Sequence, residues 1–270
     1  VDGAIKLFQR GGGDITGAIV ARCLDADLYE NWTDVSGFLS ADPRIVQNPR
    51  AIGRITFDEM RELSYMGASV LQEEAIFPVR EANIPIQIKN TNRPEDAGTV
   101  IRETADGDTN EHLITGIAGK KDFLAIHVKK AHMSNEVGVI SRALNIVERY
   151  GVSVEHIPTG VDSFGIVVNA SDVKDTVYSI ISDIRREIEP DDITMVDRLA
   201  LVSVVGRNMS RRSGTSGKIF GALGNAGVNI RMITQSSEEI SIIVGVDNAD
   251  FDRTIGVIYN GFVRDEMVSR

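Results

Sequence analysis

The residues best suited to chemistry stand near the start of the chain, in Arg10-Gly11-Gly12-Gly13-Asp14. Three consecutive glycines let a backbone approach a ligand closely, and the helix N-terminus expected after them favours an anion. Arg10 is of the type that grips a carboxylate through two parallel hydrogen bonds. The plainer reading is a glycine-rich turn with Asp14 as the helix N-cap. A second polar group follows in Trp32-Thr33-Asp34-Val35, Ser36-Gly37 and Ala41-Asp42-Pro43-Arg44. It begins where a predicted strand ends, and α/β sheets bind ligands beyond the carboxyl ends of their strands. Arg44 carries the charge a phosphate needs; a turn with a solvated arginine is the alternative.

The elements that must position these groups alternate in the α/β manner. The pattern predicts a helix over 14–26, a strand over 28–33, helices over 57–67 and 72–82, and a strand over 85–89. Thr56 and Glu59 have capping-box spacing ahead of the second helix. Cys23 falls in the apolar run 18–24, which reads as a buried helix face with a packed thiol. Residues 102–111 are polar and read as a linker or surface loop.

Beyond the linker the chain repeats itself at a constant offset of 76 residues, which carries Met133 to Met209, Gly151 to Gly227 and Phe164 to Ile240 without a gap. Each copy reads β-α-β-β-α-β, the ferredoxin-like order. In the first, a strand is expected over 122–128, a helix over 136–150 ending at Gly151, and strands over 152–157 and 164–168. A helix capped by Ser171 follows, with one apolar stripe, Val173, Val177, Ile180, Ile181, Ile184 and Ile188. In the second, strands are expected over 199–205, 229–234 and 240–246, with helices over 214–226 and 249–259. The fold class is therefore an α/β portion followed by two α+β ferredoxin-like units.

Composition narrows the partners. The net charge is −10 over 270 residues, and an acidic surface repels phosphate backbones, so nucleic acid is not expected. No apolar run reaches the length of a membrane span, and no signal peptide is visible. A single cysteine permits no internal disulfide and fits a cytoplasmic location. The four histidines, 112, 127, 132 and 156, lack metal-ligand spacing, and no metal site is expected.

Taken in order, Arg10-Gly-Gly-x-Asp14, Thr33-Asp34-Val35-x-Gly37, Ala41-Asp42-Pro43-Arg44, Asp58-Glu59-Met60-x-Glu62-Leu63 and Gly67-Ala68-x-Val70-Leu71 resemble successive motifs of aspartate kinases. Asn90-Thr91 with Gly98-Thr99 resembles that family's exit from the kinase domain, and the tandem repeat resembles its paired ACT domains. The resemblance covers nearly the whole chain. It implies a catalytic portion over 1–101, a linker over 102–112, and ACT domains over 113–190 and 191–270. It implies ATP-dependent phosphorylation of the side-chain carboxylate of L-aspartate, with Mg²⁺ accompanying ATP. Arg10 and Gly13 would then lie on the substrate and Asp14 would organise the transfer site. Thr33 and Asp34 would contact the nucleotide, with Leu39, Ser69 and Val70 near it, and Arg44 would meet its phosphates. The family usually has serine in place of Gly13, often tyrosine in place of Leu39, and in many members lysine in place of Ser69. Its initial Lys-x-Gly-Gly segment does not occur, and the chain starts at Val1, inside what reads as a strand or turn. The expectation is a fragment or processed chain that turns over no aspartate alone.

The resemblance also implies that the regulatory half binds an end-product amino acid, lysine or threonine or both. The expected pocket comprises Met133, Ser134, Val137 and Gly138 with Ser153, Val154 and Glu155, and Glu155 pairs an ammonium group. Asn229 and Ile230 hold the equivalent register in the second copy. The plainer reading makes Met133 and Val137 packing residues and Glu155 an exposed strand residue. A homodimer joined through the ACT domains is expected. The alternative function is a non-catalytic, amino-acid-binding regulatory subunit.

Overall fold

The computed structural model describes residues 12–68, 70, 71, 76–104, 112–235 and 237–264. Arg10 and Ser69 lie outside the described residues.

The first part is a four-stranded sheet with strand order β1-β3-β4-β2, formed by β1 (Tyr29–Thr33), β2 (Arg54–Thr56), β3 (Ile86–Asn90) and β4 (Thr99–Arg102). β1 runs parallel to β3, so the carboxyl ends of both strands lie together, with Thr33 opposite Asn90. The short strands β2 and β4 went unrecognised in the sequence because neither is long enough to show alternation. Helix α1 (Gly12–Cys23) buries Ala18 and Ala21 and packs near α3 (Phe77–Glu81), where Arg22 pairs with Glu81. Cys23 is exposed, contrary to the expected packed thiol. Two positions beyond Ala21 it has rotated by about 200° away from the buried stripe. Of the helix expected over 72–82 only Phe77–Glu81 is described as helical, with Pro78 in its first turn, where a missing N–H costs nothing.

Helix α2 (Phe57–Tyr65) has the capping box its sequence signals: the Glu59 amide donates to the Thr56 hydroxyl, and the Thr56 amide donates to the Glu59 carboxylate. Phe57, Met60 and Leu63 make its buried face and sit in one core with Ile55, Ile86, Ile88 and Ile101.

The repeat forms one five-stranded antiparallel sheet in the order β6-β5-β7-β9-β8, from β5 (Gly116–Lys129), β6 (Ser163–Asn169), β7 (Asp192–Val205), β8 (Met232–Gln235) and β9 (Ser241–Asp247). β5 and β7 each serve both copies. Phe123–Lys129 of β5 pairs with β6 and with the first half of β7, whereas Gly116–Lys120 pairs with the second half of β7, which in turn pairs with β9. The ladder shifts register between Lys120 and Phe123, where Asp122 (φ 68°) and Arg198 (φ 52°) take left-handed conformations. The fourth strand of the second copy thus comes from ahead of the first copy.

Helices α4 (Val139–Arg149) and α5 (Val177–Ile188) close a core over the first copy with Leu124, Ile126, Val128 and Ile166. Helices α6 (Thr215–Asn225) and α7 (Phe251–Tyr259) close another over the second. Alternation along β7 decides the layering. Ala200, Val202 and Val204 face α6 and α7, while Leu199, Leu201 and Val205 face the core of the first part. Along Leu199–Val205 the sheet is covered on both sides. The offset of the repeat recurs in its backbone: Gly138 and Gly214 have φ of 82° and 85°, and Gly151 and Gly227 have φ of 68° and 71°.

Three local expectations need correction. Residues 152–157 form no strand, although the Glu155 amide donates to the Val167 carbonyl at 2.8 Å and bridges form at His156–Val167 and Thr159–Phe164. These bridges share one register, interrupted at Pro158, which has no N–H to donate. The strand expected over 229–234 begins only at Met232. Ser171 does not cap α5; its hydroxyl donates to Asn169 Oδ1 at 2.8 Å, and the helix begins at Val177.

Candidate functional site

Asp14 lies in the first turn of α1 rather than at its cap, and it faces β1. The Asn31 side chain donates to its carboxylate at 2.9 Å and to the Tyr29 hydroxyl at 3.1 Å, and that hydroxyl reaches the Asp14 carbonyl at 3.2 Å. Asn31 is 8% exposed, so this amide is a fixed donor that holds one carboxylate orientation. Burial, with the Asp14 charge also acting upward against the Asn31 hydrogen bond, raises the Tyr29 hydroxyl above its ordinary pKa and keeps it a neutral donor. Gly13 is exposed, with nothing near the position of a Cβ. Alternation along β1 would have placed Asn31 inward, but an amide in a strand carries no catalytic signature of its own.

The carboxyl ends of β1 and β3 carry a polar cluster. Thr33 accepts two bonds from Thr91 through its carbonyl, from the amide at 2.8 Å and the hydroxyl at 3.0 Å. Ser36 donates to Asp96 at 2.5 Å and receives the Asn90 side chain at 2.9 Å. The Lys89 ammonium lies 5.7 Å from the Trp32 ring centroid. Asp34 is exposed beside Thr33, whose hydroxyl reaches it at 3.3 Å. Gly37 (φ 101°) turns the chain so tightly that a Cβ would stand 2.3 Å from the Thr99 hydroxyl oxygen. Thr33, Asp34 and the Asn90–Thr91 segment are therefore brought together. Leu39 is 37% exposed and bridges to Ala51. Arg44 forms a two-armed pair with Asp42, at 2.6 Å and 3.0 Å, on an exposed turn. The Arg44 hydrogen bond pulls the Asp42 carboxyl below its usual range. Val70 is partly buried against the first core.

In the repeat, Met133 is buried in the core under α4 and α5, whereas Ser134 is exposed and Val137 is 93% exposed. Ser153, Val154 and Glu155 line an open groove of about 670 Å³ along α4, together with Leu144, Glu148 and His156. Burial lowers the pKa of His156 despite the neighbouring Glu155 charge, so the imidazole is held neutral. Glu155 accepts a bond of 2.5 Å from the Tyr65 hydroxyl at the end of α2. Met133, Ser134 and Val137 do not line this groove. Asn229 is exposed, and Ile230 packs on the second core.

A junction joins the two parts. Glu59, fully buried, accepts from the Thr115 hydroxyl at 2.6 Å, the Arg207 amide at 2.9 Å and the Arg207 guanidinium at 2.8 Å. Burial alone would raise its carboxyl, but the Thr115, Thr56 and Arg207 hydrogen bonds and the Arg207 charge hold it below the usual range. Beside it lies a cavity of about 250 Å³ lined by Arg50, Arg54, His112, Thr115 and Arg207. Capping-box spacing and the Asp58-Glu59-Met60 motif mark Glu59 in the sequence, but its role at the junction is hidden there because its other partners are 56 and 148 residues distant.

Residues 1–90 match the amino acid kinase family and residues 202–262 match the ACT domain. Aspartokinase 3 of Bacillus subtilis is 40% identical over 269 residues, covering 99% of this chain and 59% of that protein. The crystal structure of Clostridium acetobutylicum aspartate kinase is 51% identical with a TM-score of 0.92, over 97% of this chain and 60% of that one. Escherichia coli aspartokinase III is 25% identical in two structures. In its complex with aspartate and ADP (R-state) the TM-score is 0.76, over 93% of this chain and 56% of that one. In its complex with lysine and aspartate (T-state) the TM-score is 0.77, over 94% and 56%. The chain spans 59% of the Bacillus relative, so that the match runs through the whole of this chain but not the whole of its relative. With a glycine-led helix beside the ends of parallel strands, a doubled ferredoxin-like repeat, and identity running through both, the chain is similar to aspartate kinases along nearly its whole length.

Proposed function

We propose that this chain is the larger, C-terminal share of an aspartate kinase that transfers the γ-phosphoryl group of ATP to the side-chain carboxylate of L-aspartate, with a regulatory half that binds lysine or threonine. The observation that carries this is the 40% identity to aspartokinase 3 running through 99% of the chain, catalytic and regulatory parts alike. Phosphoryl transfer asks for positioning and charge neutralisation rather than covalent chemistry. Asp14, fixed by Asn31, supplies an oriented carboxylate at the transfer site. Thr33 and Asp34, at the carboxyl end of β1, face the nucleotide, with Leu39, Ser69 and Val70 around it. Arg44 exchanges Asp42 for the phosphates, and Arg10 with Gly13 takes the substrate carboxylate. Mg²⁺ enters with ATP; it is held largely by phosphates and water, so one carboxylate such as Asp14 or Asp34 meets its demand.

The regulatory pocket in this reading draws on Ser153, Val154 and Glu155, with Ser134 and Val137 on the adjoining loop and Asn229 and Ile230 in the second copy. The lysine complex of the E. coli relative supports lysine as effector. The catalytic portion ends near residue 101, 102–112 connect it, and the ACT domains follow over 113–190 and 191–270, with β5 and β7 exchanged between them. Two chains pair through these domains into a homodimer, in the cytoplasm. The test is a coupled ADP-release assay on the longest polypeptide encoded in frame with this chain. Aspartate-dependent turnover that is lost in Asp14→Asn supports the reading; turnover with another carboxylate and none with aspartate overturns it.

A further inference from the structure

We propose that Tyr65 gates the effector groove: its hydroxyl holds the Glu155 oxygen that the side-chain ammonium of an incoming amino acid must take, so that effector binding and the α2–ACT contact exclude one another. The inference rests on the effector reading above and adds a residue from the catalytic part to it.

Three observations carry it. Glu155 lines the 670 Å³ groove beside α4 and is at the same time bonded at 2.5 Å to Tyr65, a residue of the first part. Tyr65 is 50% exposed, so water replaces the lost partner readily and the bond is exchangeable. The Lys120 ammonium, 5.2 Å from the Tyr65 ring centroid, keeps the ring in place without touching the hydroxyl's role as donor.

The geometry also says what release would reach. α2 is fastened to the regulatory half at both ends, by Glu59 to Thr115 and Arg207 at its start and by Tyr65 to Glu155 at its finish. Displacing Tyr65 undoes the second fastening alone. Tyr65 is followed within five residues by Val70, expected near the nucleotide, so the freed end of α2 leads directly to the nucleotide side of the catalytic part. An effector shifts an equilibrium only through differential affinity for two states, and the exchange of Tyr65 for an ammonium at Glu155 supplies that difference.

The experiment is calorimetric titration of this chain and its Tyr65→Phe variant with lysine and with threonine. An exposed hydroxyl is removed, so the fold is kept. The proposal expects lysine to bind the variant about three- to tenfold more tightly, because one competing hydrogen bond to a charged group is gone, with threonine, which has no side-chain ammonium, unchanged. Fluorotyrosine at position 65 should report the same lysine dissociation constant in its ¹⁹F signal. Lysine binding to both forms with equal or weaker affinity in the variant overturns the gate and leaves the effector reading intact. Absence of binding by the unsubstituted chain overturns both.

Discussion

Replacing Glu59 tests how the catalytic and regulatory parts are joined. Its two oxygens accept five hydrogen bonds: Oε1 from the Thr115 hydroxyl and the Arg207 amide, Oε2 from the Arg207 guanidinium, the Thr56 amide and the Thr56 hydroxyl. Glu59→Ala strands the Thr115 hydroxyl and the Arg207 amide and leaves the guanidinium without its carboxylate. Removing one member of a buried pair costs about 3–5 kcal/mol, and because the Arg207 side chain keeps 21% of its exposure the lower part of that range, about 3 kcal/mol, applies. Glu59→Gln keeps the shape but turns one acceptor into a donor facing an N–H, at a cost of about 1–3 kcal/mol. Urea unfolding of this chain, followed by fluorescence of its single tryptophan, measures both. The pH dependence has a defined sign. With its folded pKa depressed, the Glu59 contribution is present above its unfolded value of 4.5 and is lost as pH falls from there through the folded pKa. The unsubstituted chain should therefore lose more stability between about pH 5 and 3 than Glu59→Gln does. An alanine variant within about 0.5 kcal/mol of the parent, or parallel acid profiles, would refute the reasoning.

Two further substitutions test the catalytic portion. Gly37→Ala combines a φ of 101° with a Cβ 2.3 Å from Thr99 Oγ1; a loss of about 2–4 kcal/mol is expected in thermal unfolding, and a neutral result would contradict the turn as described. Asn31→Leu removes the donor that orients Asp14, so kcat of the longest in-frame polypeptide should fall about ten- to hundredfold with KM for ATP unchanged, measured by ADP release.

What the sequence revealed and what it hid have physical reasons. The repeat register was legible in part because Gly151 and Gly227, each just past a helix, both adopt positive φ, which few other residues do without strain. The α5 stripe was legible because Val177, Ile180, Ile184 and Ile188 follow one helical face, and all four are buried. The exchange of strands was hidden. Gly116–Lys120 has two glycines and a lysine among five residues and reads as no strand at all, yet it pairs along Leu201–Val205 because partners supply what propensity does not. Cys23 misleads because the apolar run 18–24 winds around the helix, and only Ala18 and Ala21 of α1 lie on its buried face. In the candidate site, glycine and charge pattern drew attention to Asp14, Thr33 and Asp34, whereas Asn31, Tyr65 and the partners of Glu59 act through contacts made only when distant segments meet. The family resemblance contributed the roles of these residues; their contacts came from the fold.

The central claim, that an aspartate kinase's amino-acid sensor resides in this chain, is tested most directly by calorimetric titration with lysine and threonine separately. The account predicts saturable binding of lysine to the unsubstituted chain, weakened about tenfold or more in Glu155→Gln, where the charge that pairs the ammonium is gone. Binding of neither amino acid, or lysine affinity unchanged in Glu155→Gln, would contradict it.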